Sequence, residues 1–123
     1  MDKEIKINGK EYILKESIQY NIKPKSRKGL EFCIVRTYSA GVFAGWFDVK
    51  TKGKDGIIFD SRRLWFWKGA ASLSQLAIDG VSNPNDCKFP CIVPKTILKE
   101  IIEIIPCTKK AMDIILEVPI WKK

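Results

Sequence analysis

From Gly56 to Trp67 the hydrophobic residues do not alternate with polar ones. An extended reading puts Ile57, Phe59, Ser61, Arg63, Trp65 and Trp67 on one face, and Ile58, Asp60, Arg62, Leu64 and Phe66 on the other. A strand with one wet side alternates apolar and polar residues. Here both faces are largely apolar and each carries an arginine. The segment is therefore expected to be covered on both sides, either by the chain's own helices or by a second subunit.

The pattern before this segment is that of more strands. Glu31 to Ser39 alternates, with Phe32, Ile34, Arg36 and Tyr38 on one face and Cys33, Val35 and Thr37 on the other. Ala40-Gly41 is a bend, and Val42 to Lys50 is a second strand in which Phe43, Phe47 and Val49 share a face opposite Trp46. Gly41, Ala44 and Gly45 are small where a strand usually carries bulk, which lets another backbone or a ligand approach. The polar tip Thr51–Asp55 joins Val42–Trp67 into one long hairpin. Near the N-terminus, Lys3 to Leu14 reads as a hairpin turning at Asn8-Gly9. Ser17–Asn21 is ambiguous. Lys23-Pro24-Lys25-Ser26-Arg27-Lys28-Gly29 reads as an exposed basic loop, with phosphate binding as its other use.

After Gly69 the period changes. Ser72 and Gln75 form a capping box, Ala71 and Leu76 a hydrophobic staple, and Leu73, Leu76 and Ala77 a buried stripe that ends at Gly80. Thr96 to Ile105 is rich in β-branched residues, which favours a strand, while Ile97, Ile101 and Ile105 also fit a helix. Thr108 caps a second short helix, Lys109–Glu117, with Met112, Ile115 and Leu116 facing the core and Pro119 closing it. Trp121 packs or pairs near the end. Residues 1–123 are thus expected to form one small α+β domain: an antiparallel β-sheet from N-terminal hairpins, and two short helices towards the C-terminus.

Composition narrows the chemistry. The 123 residues hold 46% hydrophobic side chains, no histidine and four cysteines, with a net charge of +8. No apolar run approaches the ~20 residues of a membrane span, and Met-Asp-Lys-Glu-Ile-Lys lacks the start of a signal peptide. A cytosolic address, reduced thiols and no membrane partner are expected. A zinc site from all four cysteines stands against buried, inert thiols; without paired Cys-x-x-Cys spacing the sequence predicts no metal and no cofactor. The positive charge attracts phosphate-bearing partners or belongs to a solvated lysine-rich surface.

Without histidine, neither a Cys-His nor a Ser-His nucleophile exists, and there is no phosphate-binding loop or dinucleotide fingerprint. Asp48, Asp55 and Asp60 read as separate surface acids. No catalytic residue is predicted, and the chain is expected not to be an enzyme. Binding chemistry is denser. Arg62 and Arg63 stand beside Trp65, Phe66 and Trp67, followed by Lys68 and by the helix start at Ala71 and Ser72. Aromatic faces stack on bases, guanidinium forks hold phosphates, and a helix N-terminus offers N–H groups. These eight residues are the candidate ligand-binding set; the alternative is that the aromatics are core and the arginines structural.

The run Arg62-Arg63-Leu64-Trp65-Phe66-Trp67-Lys68-Gly69-Ala70-Ala71-Ser72-Leu73-Ser74-Gln75-Leu76-Ala77 is distinctive, as are Gly41-Val42-Phe43-Ala44-Gly45, Cys87-Lys88-Phe89-Pro90-Cys91 and Glu103-Ile104-Ile105-Pro106-Cys107-Thr108. Together, over roughly Gly41 to Trp121, they resemble a family of small bacteriophage and prophage proteins, the anti-defence sponges that counter Thoeris immunity. The resemblance implies a β-sheet with two helices in dimers or larger homo-oligomers. It implies ligands at subunit interfaces, and sequestration of a cyclic ADP-ribose isomer, or of cyclic oligonucleotides, without cleavage, in an infected bacterial host. No family ligand contact is carried over onto this chain. The competing expectation is a basic phage protein that binds nucleic acid or inhibits a host protein.

Overall fold

The computed structural model describes residues 27–122. The hairpin over Lys3–Leu14, the Ser17–Asn21 stretch and most of the basic loop lie outside them. Five strands form one antiparallel sheet: β1 (Glu31–Thr37), β2 (Val42–Phe47), β3 (Gly56–Arg63), β4 (Val93–Leu98) and β5 (Ile101–Pro106), in the order β4-β3-β2-β1-β5. Two short helices, α1 (Leu73–Asp79) and α2 (Lys109–Glu117), complete the α+β fold, with a 3-10 turn at Pro84–Asp86. None of the helices among the described residues is long and apolar enough to cross a membrane.

β4 and β5 occupy opposite edges, yet only Lys99 and Glu100 connect them. In a flat sheet, four strand spacings would separate the edges by about 19 Å. The three steps from Leu98 to Ile101 reach at most about 11 Å. The sheet must therefore curl, bringing its two edges together at this turn. Glu100 takes up a left-handed φ of 56°. The Tyr38 N–H donates to the Glu100 carbonyl (2.9 Å), and the Ile101 N–H donates to the Lys54 carbonyl (2.7 Å). The Thr96–Ile105 stretch is thus two strands broken at a bend. Its β-branched content prevails over its helical spacing.

The curl explains how both faces of the sheet are covered. Inside it, Cys33, Val35, Phe43, Phe47, Ile58, Leu98 and Ile101 pack on one another. On the convex side, Phe32, Ile34, Ala44 and Leu64 meet Leu76 and Ala77 of α1 and Ala111, Met112 and Ile115 of α2. The alternation expected for β1 and β2 is the one observed. Of the two covers expected for β3, the chain's own curl and helices bury Ile58 and Leu64, while Ile57 at the start of the strand stays exposed.

β3 departs from simple alternation at Asp60. Ala44 pairs with Arg62 and Trp46 with Phe59, so Gly45 faces two residues, a β-bulge. Asp60 has φ 46°, and its carboxylate is engaged by Arg27. The extra residue exchanges the faces: Ile58, Ser61 and Arg63 point into the curl, and Phe59, Arg62 and Leu64 point towards the helices. Gly45 makes room for it. A Cβ there would lie 2.7 Å from the Ser61 Cβ and 2.8 Å from its Cα. Gly45→Ala should therefore destabilise the domain by about 1–3 kcal/mol, because the obstructing atoms include backbone. Urea denaturation checks this; an unchanged midpoint would show that the bulge relaxes freely.

Both helices are capped as their sequences imply. Ser72 Oγ accepts from the Gln75 N–H (3.2 Å) and Gln75 Oε1 from the Ala71 N–H (2.7 Å), while Gly80 ends α1 at φ 74°. Thr108 Oγ1 accepts from the Ala111 N–H (3.1 Å) and donates to the Ile78 carbonyl (2.6 Å), which joins the start of α2 to α1. Leu116, expected in the core, is exposed instead.

Candidate functional site

The paired arginines have opposite fates. Arg62 is 1% exposed. Its Nε donates to the Pro90 carbonyl (2.9 Å), Nη1 to those of Ile115 (2.9 Å) and Val118 (2.7 Å), and Nη2 to those of Phe89 (2.6 Å) and Pro119 (3.4 Å). A guanidinium has five N–H donors, and all five are used. The acceptors include carbonyls at the C-terminal end of α2, where the helix leaves them without intrahelical partners and where positive charge is favoured. Burial lowers the Arg62 pKa, and the ring of Phe89 lies 5.6 Å from its Cζ. Arg62, expected in the ligand-binding set, is a structural cation with no donor left for a ligand.

Arg63, one residue on, is exposed. Its guanidinium lies over the Phe43 ring at 4.7 Å, and among the described residues no carboxylate pairs with it. The strand ends here rather than at Trp67. Leu64 N–H donates to the Val42 carbonyl (2.8 Å), and Lys88 then pairs with the departing segment through Trp65 N–H to Lys88 O (3.1 Å) and Lys88 N–H to Phe66 O (2.8 Å). The result is an open pocket of about 310 Å³, walled by Arg63, Trp65 and Trp67 and by the β1–β2 turn at Ala40–Val42. Trp65 is 65% exposed, while Trp67 is half-buried against the convex-side core. Thr37 holds the turn: its Oγ1 accepts from the Ala40 N–H (3.0 Å) and donates to the Gly41 carbonyl (2.8 Å).

The other candidates do not join this pocket. Phe66 points away, and Lys88 Nζ lies 5.9 Å from its ring and 5.6 Å from that of Trp121. Lys68 is exposed, with its N–H directed at Cys87 Sγ (3.4 Å). Ala71 and Ser72 are occupied by the capping box, and none of these three lines the pocket. Sequence reasoning missed the turn at Ala40–Val42 as a wall, although the small residues there were a sign of close approach. It also missed Lys88 and Trp121, whose partnership depends on the parallel bridge between Phe89 and Ile120.

Asp48, Asp55 and Asp60 do not form a cluster. Asp48 accepts from the Lys50 N–H, Asp55 pairs with Lys99 at 3.3 Å, and Asp60 pairs with Arg27. Among the described residues no group of histidine, cysteine or acidic side chains is placed to hold a metal. Cys33, Cys87 and Cys107 are buried and Cys91 is exposed. Burial, then the charge of Glu31, pushes the Cys33 thiol up to about 12; burial and Cys33 raise that of Cys107. The thiolate is the reactive form, so alkylation of the native protein at pH 8 should modify Cys91 alone. Mass spectrometry should count one adduct in buffer and four in urea. Rapid native labelling of Cys33 or Cys107 would contradict this.

No curated protein and no solved structure matches the chain. A family model described as a domain of unknown function, DUF6948, matches residues 30–115. The match takes in the whole curled sheet, the Arg63–Trp67 pocket and α1, and the chain belongs to that family.

Proposed function

We propose that the protein binds a cyclic nucleotide signal of the cyclic ADP-ribose type and sequesters it without cleavage, acting as a phage anti-defence protein in the cytosol of the infected cell. The observation that carries this reading is the pocket in which the Arg63 guanidinium, paired with no carboxylate among the described residues, adjoins two indoles, Trp65 and Trp67. A cyclic ADP-ribose ligand needs a flat apolar face for its base and a cation for its diphosphate, and both are adjacent here. The sequence resemblance points to the same ligand class. The chain's lack of histidine and the separate engagement of its hairpin aspartates favour holding over turnover.

The experiment is to incubate the protein with a panel of cyclic nucleotides, remove free ligand, heat the complex and identify what is released. Intact ligand is expected. Cleavage products would make the protein an enzyme. Failure to retain any member would leave the second reading, nucleic-acid binding or inhibition of a host protein. That reading is favoured by the aromatic–cation–aromatic surface of Phe66, Lys88 and Trp121 on a chain of net charge +8. Steep loss of binding with salt would mark it as nucleic-acid binding.

We also propose a homo-oligomer, at least a dimer. The grounds are the exposed Ile57, paired across the β3–β4 ladder with the exposed Ile97. Light scattering at micromolar concentration should give at least twice the monomer mass; a strict monomer would remove the claim.

A further inference from the structure

Arg63 stands between two pockets. Opposite the tryptophans, inside the mouth of the curl, lies a smaller one of about 130 Å³ lined by Phe43, Ser61, Arg63, Cys91 and Thr96, among others. Ser61 is 2% exposed, and among the described residues nothing hydrogen-bonds its hydroxyl. The hydroxyl of Thr96, on the neighbouring strand β4, is likewise without a partner among them. Buried polar side chains are ordinarily satisfied. An unpartnered one that lines a cavity beside an unpaired cation is a donor held ready for something that enters.

We infer that this pocket is an oxyanion site that takes a phosphoryl group. The Arg63 guanidinium stacks on Phe43 through its face, which leaves its N–H edge free to donate. Ser61, from β3, and Thr96, from β4, supply hydroxyl donors from separate strands. Donors arriving from three positions suit the tetrahedral oxygens of a phosphate better than the planar pair of a carboxylate. The bulge at Asp60 places Ser61 here, and Gly45 allows the bulge, so the local irregularity of β3 builds the site. Taken with the nucleotide-binding reading, on which the identity of the full ligand rests, the phosphate sits on this side of Arg63 and the base on the tryptophan side. The anion site itself does not depend on that reading.

Inorganic pyrophosphate is the probe, titrated at low salt into the full chain and followed by calorimetry and by the labelling rate of Cys91, the exposed thiol of the four. Pyrophosphate should slow Cys91 labelling. Ser61→Ala should lower pyrophosphate affinity about tenfold, while its melting temperature stays level or rises, because an unsatisfied buried hydroxyl has been removed. Thr96→Val should act in the same direction. The proposal is overturned if pyrophosphate neither binds nor protects Cys91, or if both variants bind it as wild type does. Two further results separate it from the nucleotide reading. Retention of a cyclic ADP-ribose isomer that is weakened by Trp65→Ala, with pyrophosphate binding unchanged in Ser61→Ala and Thr96→Val, overturns the anion site alone. Ser61-dependent pyrophosphate binding without retention of any cyclic nucleotide supports the anion site and removes the nucleotide reading.

Discussion

Arg62→Met should remove about 3–5 kcal/mol of stability, even though it substitutes one long side chain for another. The wild-type side chain satisfies five carbonyls from two distant segments, Phe89–Pro90 and Ile115–Pro119. Methionine fills the space but leaves the buried carbonyls of Ile115 and Val118 without the guanidinium, and takes one of two donors from that of Phe89, which also accepts from the Trp121 N–H; breaking a buried charged network by removing one member typically costs this much. A domain of this size is stable by only about 5–15 kcal/mol in total, so the expected melting temperature falls by roughly 10–25 °C. Arg62→Lys should recover only part of the loss, since an ammonium has three donors and no planar fork. Thermal and urea denaturation decide the matter; a melting temperature within a few degrees of wild type for Arg62→Met would show that the carbonyls find water.

The same residue shows where sequence reasoning stops. The alternation of Phe32 and Ile34 against Cys33 and Val35 is enough to divide two cores, and the capping box at Ser72 and Gln75 is enough to start α1, because both are encoded within a few residues. Arg62 is governed by acceptors 27 to 57 residues away, and nothing in its neighbourhood distinguishes it from Arg63. The bulge at Asp60 is equally remote from local signals. It depends on the missing side chain of Gly45 on the facing strand, and without it the alternation puts Ser61 and Arg63 on the wrong side of the sheet. The end of β3 was hidden for a similar reason. Trp65 to Trp67 read as strand, and they are extended, but their partner is Lys88 rather than β2 or β4. Of the eight candidate ligand residues, the three that share the pocket, Arg63, Trp65 and Trp67, are those on one side of this departing segment.

Arg63→Ala should weaken the retained cyclic nucleotide by about one to two decades while the fold survives. A charge-assisted hydrogen bond to a phosphate contributes about 1.5–3 kcal/mol, and each 1.4 kcal/mol is about a factor of ten in affinity. The fold should survive because Arg63 contributes little to it. Its guanidinium is itself exposed over the Phe43 ring, and contacts of exposed cations are worth about 0.5–1 kcal/mol; it carries none of the carbonyl partners that occupy Arg62. Arg63→Lys should lie between, retaining the charge and losing the bidentate fork. Lys28→Ala, on an exposed turn outside the pocket, supplies the control: it removes the same formal charge, and at moderate salt screening should leave affinity within about twofold. Trp65→Ala should lose about 1–3 kcal/mol of stacking with a weaker salt dependence, because its contribution is not ionic. Calorimetric titration of the four variants at two salt concentrations separates charge at the pocket from charge in general. Equal, small losses at Arg63 and Lys28 would mean that the guanidinium on Phe43 is part of the wall and touches no ligand.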